Sequence, residues 1–289
     1  MYSERRVKQS ELLQLILLNA LYSQKGSEKL FFQGGTAIRW VYGGLRFSED
    51  LDFVTPHERE DIELLLKKTA SAAANTCVAH FGPGAAEFQK KAARETAFKA
   101  FYVYRPEKQR EKIAVKLEFE ILKPDRQPET GRYVFRDLPQ VAGLMKDGHL
   151  IIPYASSVIL AETPEEILSD KMRALFERRY IKGRDIYDIW WLVSRLDVKP
   201  NWAKARQKLS MYRMRFSPSR PAGYFLTHKA EREARIAIES DLPRFLPPAI
   251  YREYHKDNFR QFLENLRQVT TVLSNQGMCD DAFALRDDL

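Results

Sequence analysis

FFQGGTAIRWVYGGLRFSEDLDF, residues 31–53, is the stretch on which the fold turns. Leu30, Phe31 and Phe32 form a short apolar strand candidate, and Gly34-Gly35-Thr36 follow it at once. Thr36 to Tyr42 reads as a helix that Gly43-Gly44 ends, because glycine takes the left-handed conformation that stops a helix. Leu51 and Phe53 then alternate with Asp50 and Asp52, the period-two signature of a strand with one apolar and one acidic face. Two aspartates two apart on a strand project to the same side. Like charges that close are costly unless a cation lies between them, so the pair is a natural Mg²⁺ clamp. Glycines between a strand and a helix let backbone amides approach a phosphate, to which the helix start adds positive potential. Each part alone is commonplace: Asp-x-Asp occurs on exposed strand ends, and Gly-Gly-Thr is usually a turn. Their order and spacing make the parts of a phosphoryl or nucleotidyl transfer site.

Outward from that stretch, an apolar run opens at Ser10-Glu11 and predicts a helix with Ser10 as its N-cap. Residues 58–79 predict a second amphipathic helix, and Thr96 to Leu122 alternates as two strands. In the later strand Ile113, Val115, Leu117 and Phe119 face one way, and Lys116, Glu118 and Glu120 the other. A third carboxylate on a neighbouring strand would complete a metal site; Glu118 is the choice by strand phase and Glu120 the alternative. After Pro153 the pattern becomes helical. Thr163-Pro164-Glu165-Glu166 is a capping box that starts a helix running to about Tyr180. Ile186, Ile189, Trp190 and Val193 form the apolar stripe of the next, and 200–210, 228–240 and 249–274 predict more. The expectation is an α+β domain over 1–155 and a helical domain over 156–289.

The 289 residues are 44% hydrophobic, enough for a core and too many for a disordered chain. No apolar stretch approaches the ~20 residues of a membrane span, and the first ten residues lack a signal peptide's apolar core. Cys77 and Cys279 lie in no metal or redox spacing, so the expectation is a soluble cytoplasmic protein without disulfides. The net charge of +8 is unevenly spread: residues 1–170 are neutral, 171–200 carry +4, 201–230 carry +7 with no acidic residue, and 231–289 carry −3. Such a block suits a polyanionic partner, nucleic acid or a triphosphate, although a solvated basic helix face would look the same.

That block opens in SDKMRALFERRYIKGRDIYDIWWL, residues 169–192. Lys171 and Arg178 are seven apart and share a helix face with Leu175 between them, so the lysine is partly buried and needs an anion. Arg184 and Asp188 are an i, i+4 pair, and Asp185 sits where the helix dipole favours an acid. The two quoted stretches, in this order, resemble the AbiEii/AbiGii-type toxin family of nucleotidyltransferases, relatives of the MenT toxins. The resemblance covers about residues 10–195; the rest is similar only in being helical and basic. It implies an N-terminal nucleotidyltransferase fold of the DNA polymerase β type, a mixed sheet with helices against it, and a helical C-terminal domain. By that resemblance Gly35 and Thr36, preceded by Gly34, stand in the nucleotide-binding motif. Ser48 helps hold phosphate, while Asp50 and Asp52 coordinate Mg²⁺; the third carboxylate of this fold is normally Asp, and Glu118 takes that place here by strand phase alone. Lys171 contacts nucleotide phosphates, Asp185 is needed for activity, and Arg46 and Arg178 are weaker carry-overs.

The leading expectation is transfer of a nucleoside monophosphate from an NTP to RNA, with the tRNA 3′ acceptor end as the favoured acceptor and loss of translation as the result. The basic block supports it as a track for RNA phosphates. The interleaved aromatics Trp190, Trp191, Trp202, Tyr212, Phe216 and Tyr224 suit base stacking or, more simply, a helical core. A small-molecule or protein acceptor would use the same site residues, and a non-catalytic interaction module is the reading from a different class. The family resemblance also implies a cognate antitoxin.

Overall fold

The computed structural model describes residues 3–108 and 110–283. The chain divides into two compact units, Ser3–Glu162 and Thr163 onward. In chain order the first contains α1 (Glu4–Tyr22), β1 (Phe31–Gln33), α2 (Gly34–Trp40), β2 (Asp50–Thr55), α3 (Arg59–Phe81), β3 (Gly84–Arg94), β4 (Ala97–Pro106), β5 (Ile113–Ile121), β6 (Thr130–Val134), α4 (Pro139–Lys146) and β7 (Val158–Glu162). The strands make one mixed sheet in the order β3-β4-β5-β2-β1-β7-β6. β2 lies inside it, parallel to β5 and antiparallel to β1.

Alternation along β2 decides which side of the sheet is core. Leu51 and Phe53 are fully buried. The Phe53 ring stacks on Phe119 of β5 at 5.1 Å and lies 5.4 Å from Phe32 of β1 and 6.4 Å from Tyr22 of α1. α1 therefore covers the apolar face, packed beside α3. Period two then turns Asp50 and Asp52 to the opposite face.

Two differences from the sequence expectation have physical causes. α1 starts at Glu4, with Ser3 as N-cap, so Ser10 lies inside it. Its first turns are polar apart from the buried Val7, and a Glu4–Lys8 ion pair (2.8 Å) joins them. The sheet also gains β3, β6 and β7. β3 is an edge strand whose sequence, GAAEFQKKAAR, has no apolar alternation; pairing with β4 makes it a strand.

The second unit is helical: α5 (Pro164–Glu177), α6 (Gly183–Arg195), α7 (Trp202–Met211), α8 (His228–Asp241), α9 (Pro248–Lys256), α10 (Arg260–Asn275) and α11 (Asp280–Phe283). Thr163 caps α5 as its sequence predicts, its side chain accepting from the Glu166 amide at 3.4 Å. Where one helix was expected over 249–274, the chain breaks between α9 and α10. Asn258 and Phe259 both adopt left-handed backbone (φ 55° and 58°), and Phe259 is fully buried. Burying that ring offsets the strain of two such residues in succession. Among the described residues no helix is long and apolar enough to cross a membrane.

Candidate active site

The acidic strand is fixed from three directions. Thr36, in the first turn of α2, donates its hydroxyl to the Asp50 carbonyl. Gln14 of α1, 1% exposed, donates to the Ser48 carbonyl at 2.5 Å, and its own carbonyl oxygen accepts from Trp40 Nε1 at 3.4 Å. Gly34 takes φ 76°, and a Cβ there would lie 2.7 Å from Asp52 Oδ2. The Asp52 carboxylate thus rests against bare glycine backbone. Gly35 makes room for a different group: a Cβ would fall 2.0 Å from Arg46 Nη2 and 3.0 Å from Ser48 Oγ. Arg46, 3% exposed, also donates from Nη1 to the Phe47 carbonyl at 2.9 Å. The loop before β2 is therefore built around a buried guanidinium packed on Gly35, with Ser48 beside it. Gly34, Gly35, Thr36, Arg46, Ser48, Asp50 and Asp52 come together as one cluster.

Glu118 lies beside that cluster in strand register: β5 pairs with β2 so that Lys116 is opposite Asp50 and Glu118 opposite Asp52. Lys116 Nζ is 2.8 Å from Asp50 Oδ2 and 2.6 Å from Glu118 Oε1, and Lys99 Nζ of β4 is 2.8 Å from Glu118 Oε2. Burial pushes the Glu118 carboxyl up, but the two lysines outweigh it and hold the group below the usual glutamate range. Burial works against the Lys116 charge too, yet Asp50 and Glu118 raise its ammonium above the ordinary lysine value. Among the described residues no three His, Cys, Asp or Glu side chains converge as a metal cage. The aspartate pair itself offers hard oxygen donors on one face, against a glycine with no side chain to intrude, and this fits a hard divalent cation. Glu120, the alternative third carboxylate, is part-buried on β5 and paired in register with Val54.

In the C-terminal unit the second motif closes on itself. Lys171 Nζ on α5 is 3.0 Å from Asp185 Oδ1 and 2.7 Å from Asp188 Oδ2, both on α6. Arg178 completes Asp185 from the other side. Burial pushes Asp185 up, but Lys171 and Arg178 pull it well below the usual carboxylate range. Two carboxylates of α6 thus face the part-buried lysine and fix where its ammonium points. Asp188, the i+4 neighbour of Arg184, also holds Lys171, and the Arg184 guanidinium lies 4.8 Å from the centre of the Phe245 ring. Lys182 is lowered to about 8, by burial first and then by Arg178 and Arg184.

The basic block is partly internal. Lys208 is fully buried and bridges Glu166 and Asp170 at 3.0 Å each. Arg220, 9% exposed, donates to the carbonyls of Leu175 (2.9 Å), Arg178 and Arg179 (3.0 Å). Arg206, Arg215 and Lys229 are the exposed cations of residues 201–230. Most of the aromatics are core: Trp190, Trp191, Trp202, Tyr212 and Phe216 are all buried, and Trp190 meets Phe262 edge-on at 4.9 Å.

Two residues of the site carry only a faint signal in the sequence, Lys116 on the polar face of β5 and Gln14 in α1. The first was detectable as a lysine two residues from the candidate third carboxylate. The second was visible as the one polar side chain inside LLQLILL.

A family model described as nucleotidyl transferase AbiEii toxin, type IV TA system, matches residues 16–275. No curated protein matches. Two crystal structures from Helicobacter pylori share the fold at TM-score 0.54 and 17% identity each. One is a protein assigned as a nucleotidyltransferase, with 95% of this chain and 98% of that chain covered. The other is JHP933, with 96% of each covered. At that identity the likeness concerns the fold alone, and the family model, spanning most of the sequence, carries the assignment. With its acidic strand seated on a glycine turn, this chain belongs to the AbiEii family of nucleotidyltransferase toxins of type IV toxin–antitoxin systems.

Proposed function

We propose that the protein transfers a nucleoside monophosphate from an NTP to the 3′ end of RNA, with the tRNA acceptor end as its target. The observation that carries this reading is Asp52 of the acidic strand abutting Gly34, where carboxylate meets bare backbone. Bare backbone at Gly34 leaves the space beside the Asp52 carboxylate open to a triphosphate, whereas any side chain there would fill it. Asp50 and Asp52 are the residues to hold Mg²⁺, which when bound offsets the charge of the triphosphate. Gly35, Thr36 and Ser48 form the phosphate-facing turn, and Lys171 and Arg178 supply phosphate contacts. Asp185, with Asp188, orients Lys171. In the reaction the RNA 3′-hydroxyl oxygen bonds to the α-phosphorus, the α–β bridging bond breaks, and pyrophosphate leaves.

RNA is favoured over a small cationic acceptor because Arg206, Arg215 and Lys229 are exposed in a stretch with no acidic residue. Neutralising RNA phosphates with such groups releases counterions, so binding should fall steeply with salt. Sequencing the 3′ ends of cellular RNAs after induction tests the acceptor. Non-templated nucleotides on tRNA ends support the reading; unchanged RNA ends during growth arrest would move it to a small-molecule or protein acceptor. A cognate antitoxin is the expected protein partner.

A further inference from the structure

Lys116 has no role in the function described so far, yet it sits at the centre of the acidic face. Three carboxylates and two ammonium groups of that face meet there: Asp50 and Asp52 of β2, Lys116 itself and Glu118 of β5, and Lys99 of β4, with Glu120 two residues further along β5. Register fixes the arrangement. Lys116 is opposite Asp50, and Glu118 is flanked by Asp52 on one side and Lys99 on the other. Both Glu118 oxygens are engaged, Oε1 by Lys116 at 2.6 Å and Oε2 by Lys99 at 2.8 Å. Lys116 spans the gap to Asp50 Oδ2 at 2.8 Å. These groups are only about a quarter exposed at Lys116, Asp50 and Glu118, so their charges are weakly screened.

Carboxylates grouped this closely would attract divalent cations, a second one included. Here the two lysines cancel two of the three negative charges, and the space between Asp50 and Glu118 already holds an ammonium. We propose that Lys116 is a resident cation of the site, standing where a second divalent ion would otherwise bind, with Glu118 as its anchor and not a metal ligand. Resting on the nucleotidyl-transfer reading, this inference limits the site to one divalent position, on Asp50 and Asp52. Lys116 is a positioning residue: it neutralises Asp50 and keeps one of its oxygens turned toward β5.

Titration with Mn²⁺ alone, following free Mn²⁺ by electron paramagnetic resonance, tests this without any turnover. The wild type should bind a single ion and Lys116→Arg should match it. Lys116→Met should bind a second ion or bind about tenfold more tightly, since an opposing charge has left the carboxylates. Adding Glu118→Gln to Lys116→Met should remove that gain, whereas Glu118→Gln alone should leave wild-type affinity within about twofold. The inference is overturned if Lys116→Met binds Mn²⁺ as the wild type does, or if Glu118→Gln weakens binding as much as Asp52→Asn. Should Lys116→Met fail to fold, the Glu118→Gln comparison still decides. A separate outcome, equal Mn²⁺ binding by wild type and Asp52→Asn, would sink the metal assignment of Asp52 itself.

Discussion

Gly35 tests how single atoms hold the site. In an isolated helix, alanine for glycine gains about 1 kcal/mol. Here the added Cβ would meet Arg46 Nη2 at 2.0 Å, and the buried guanidinium has little room to retreat. The steric cost should win: Gly35→Ala is expected to destabilise the N-terminal unit by about 1–3 kcal/mol net, measured by urea unfolding, and to lower activity with it. Unchanged stability would mean that Arg46 moves freely. Lys182 makes a prediction about pH. Its folded value of about 8 lies below the ordinary 10.5, so between those values the unfolded chain holds a proton that the folded chain has lost. Stability therefore rises with pH across that window, and below about 8 the folded state carries the whole penalty of the charge. Lys182→Met should raise the melting temperature at pH 7 by roughly 2–4 °C, discounted for partial exposure. That gain should vanish at pH above 10.5, and a pH-independent gain would assign it to packing instead. Asp185 has the opposite sign. Its depressed value gives stability that is present at neutral pH and is lost in acid, as pH falls through the usual aspartate range toward the folded value.

At the scale of elements, α6 and α8 meet through Gly183. A Cβ there would lie 2.4 Å from the Ala237 carbonyl oxygen and 2.5 Å from Ile238 Cα, both backbone. Neither can rotate away, so Gly183→Ala should part the two helices and cost about 3 kcal/mol, seen as a lower denaturation midpoint. A glycine between two helix patterns is visible in the sequence; its contact is not, because a close approach depends on a partner 54 residues away, Ala237. The same distinction runs through the fold. β2 and β5 declared themselves through strict alternation, and α5 through its Thr163 cap. β3 and the left-handed break at Asn258–Phe259 were hidden, since one is made by cross-strand pairing and the other by burying Phe259. In the candidate site the acidic pair and the glycines could be read locally. The Lys116 bridge needed the register of two strands sixty residues apart.

At the scale of the whole molecule, the net charge of +8 has been divided by function. Lys208 and Arg220 belong to the C-terminal core, and Arg206, Arg215 and Lys229 to its surface. Lys208→Met should cost about 3–5 kcal/mol, because Glu166 and Asp170 would lose the cation that bridges them. Reversing Arg206, Arg215 and Lys229 to glutamate should leave the melting temperature nearly unchanged and weaken RNA modification and its salt dependence. Equal RNA modification would place the acceptor surface elsewhere. The central claim, nucleotide transfer to RNA by the Asp50–Asp52 strand, is tested by incubating the purified protein with Mg²⁺, each α-labelled NTP in turn and total tRNA. Label is expected on tRNA 3′ ends with at least one NTP, reduced about a hundredfold to a thousandfold in Asp52→Asn. No label with any of the four NTPs, or equal labelling by Asp52→Asn, would contradict it.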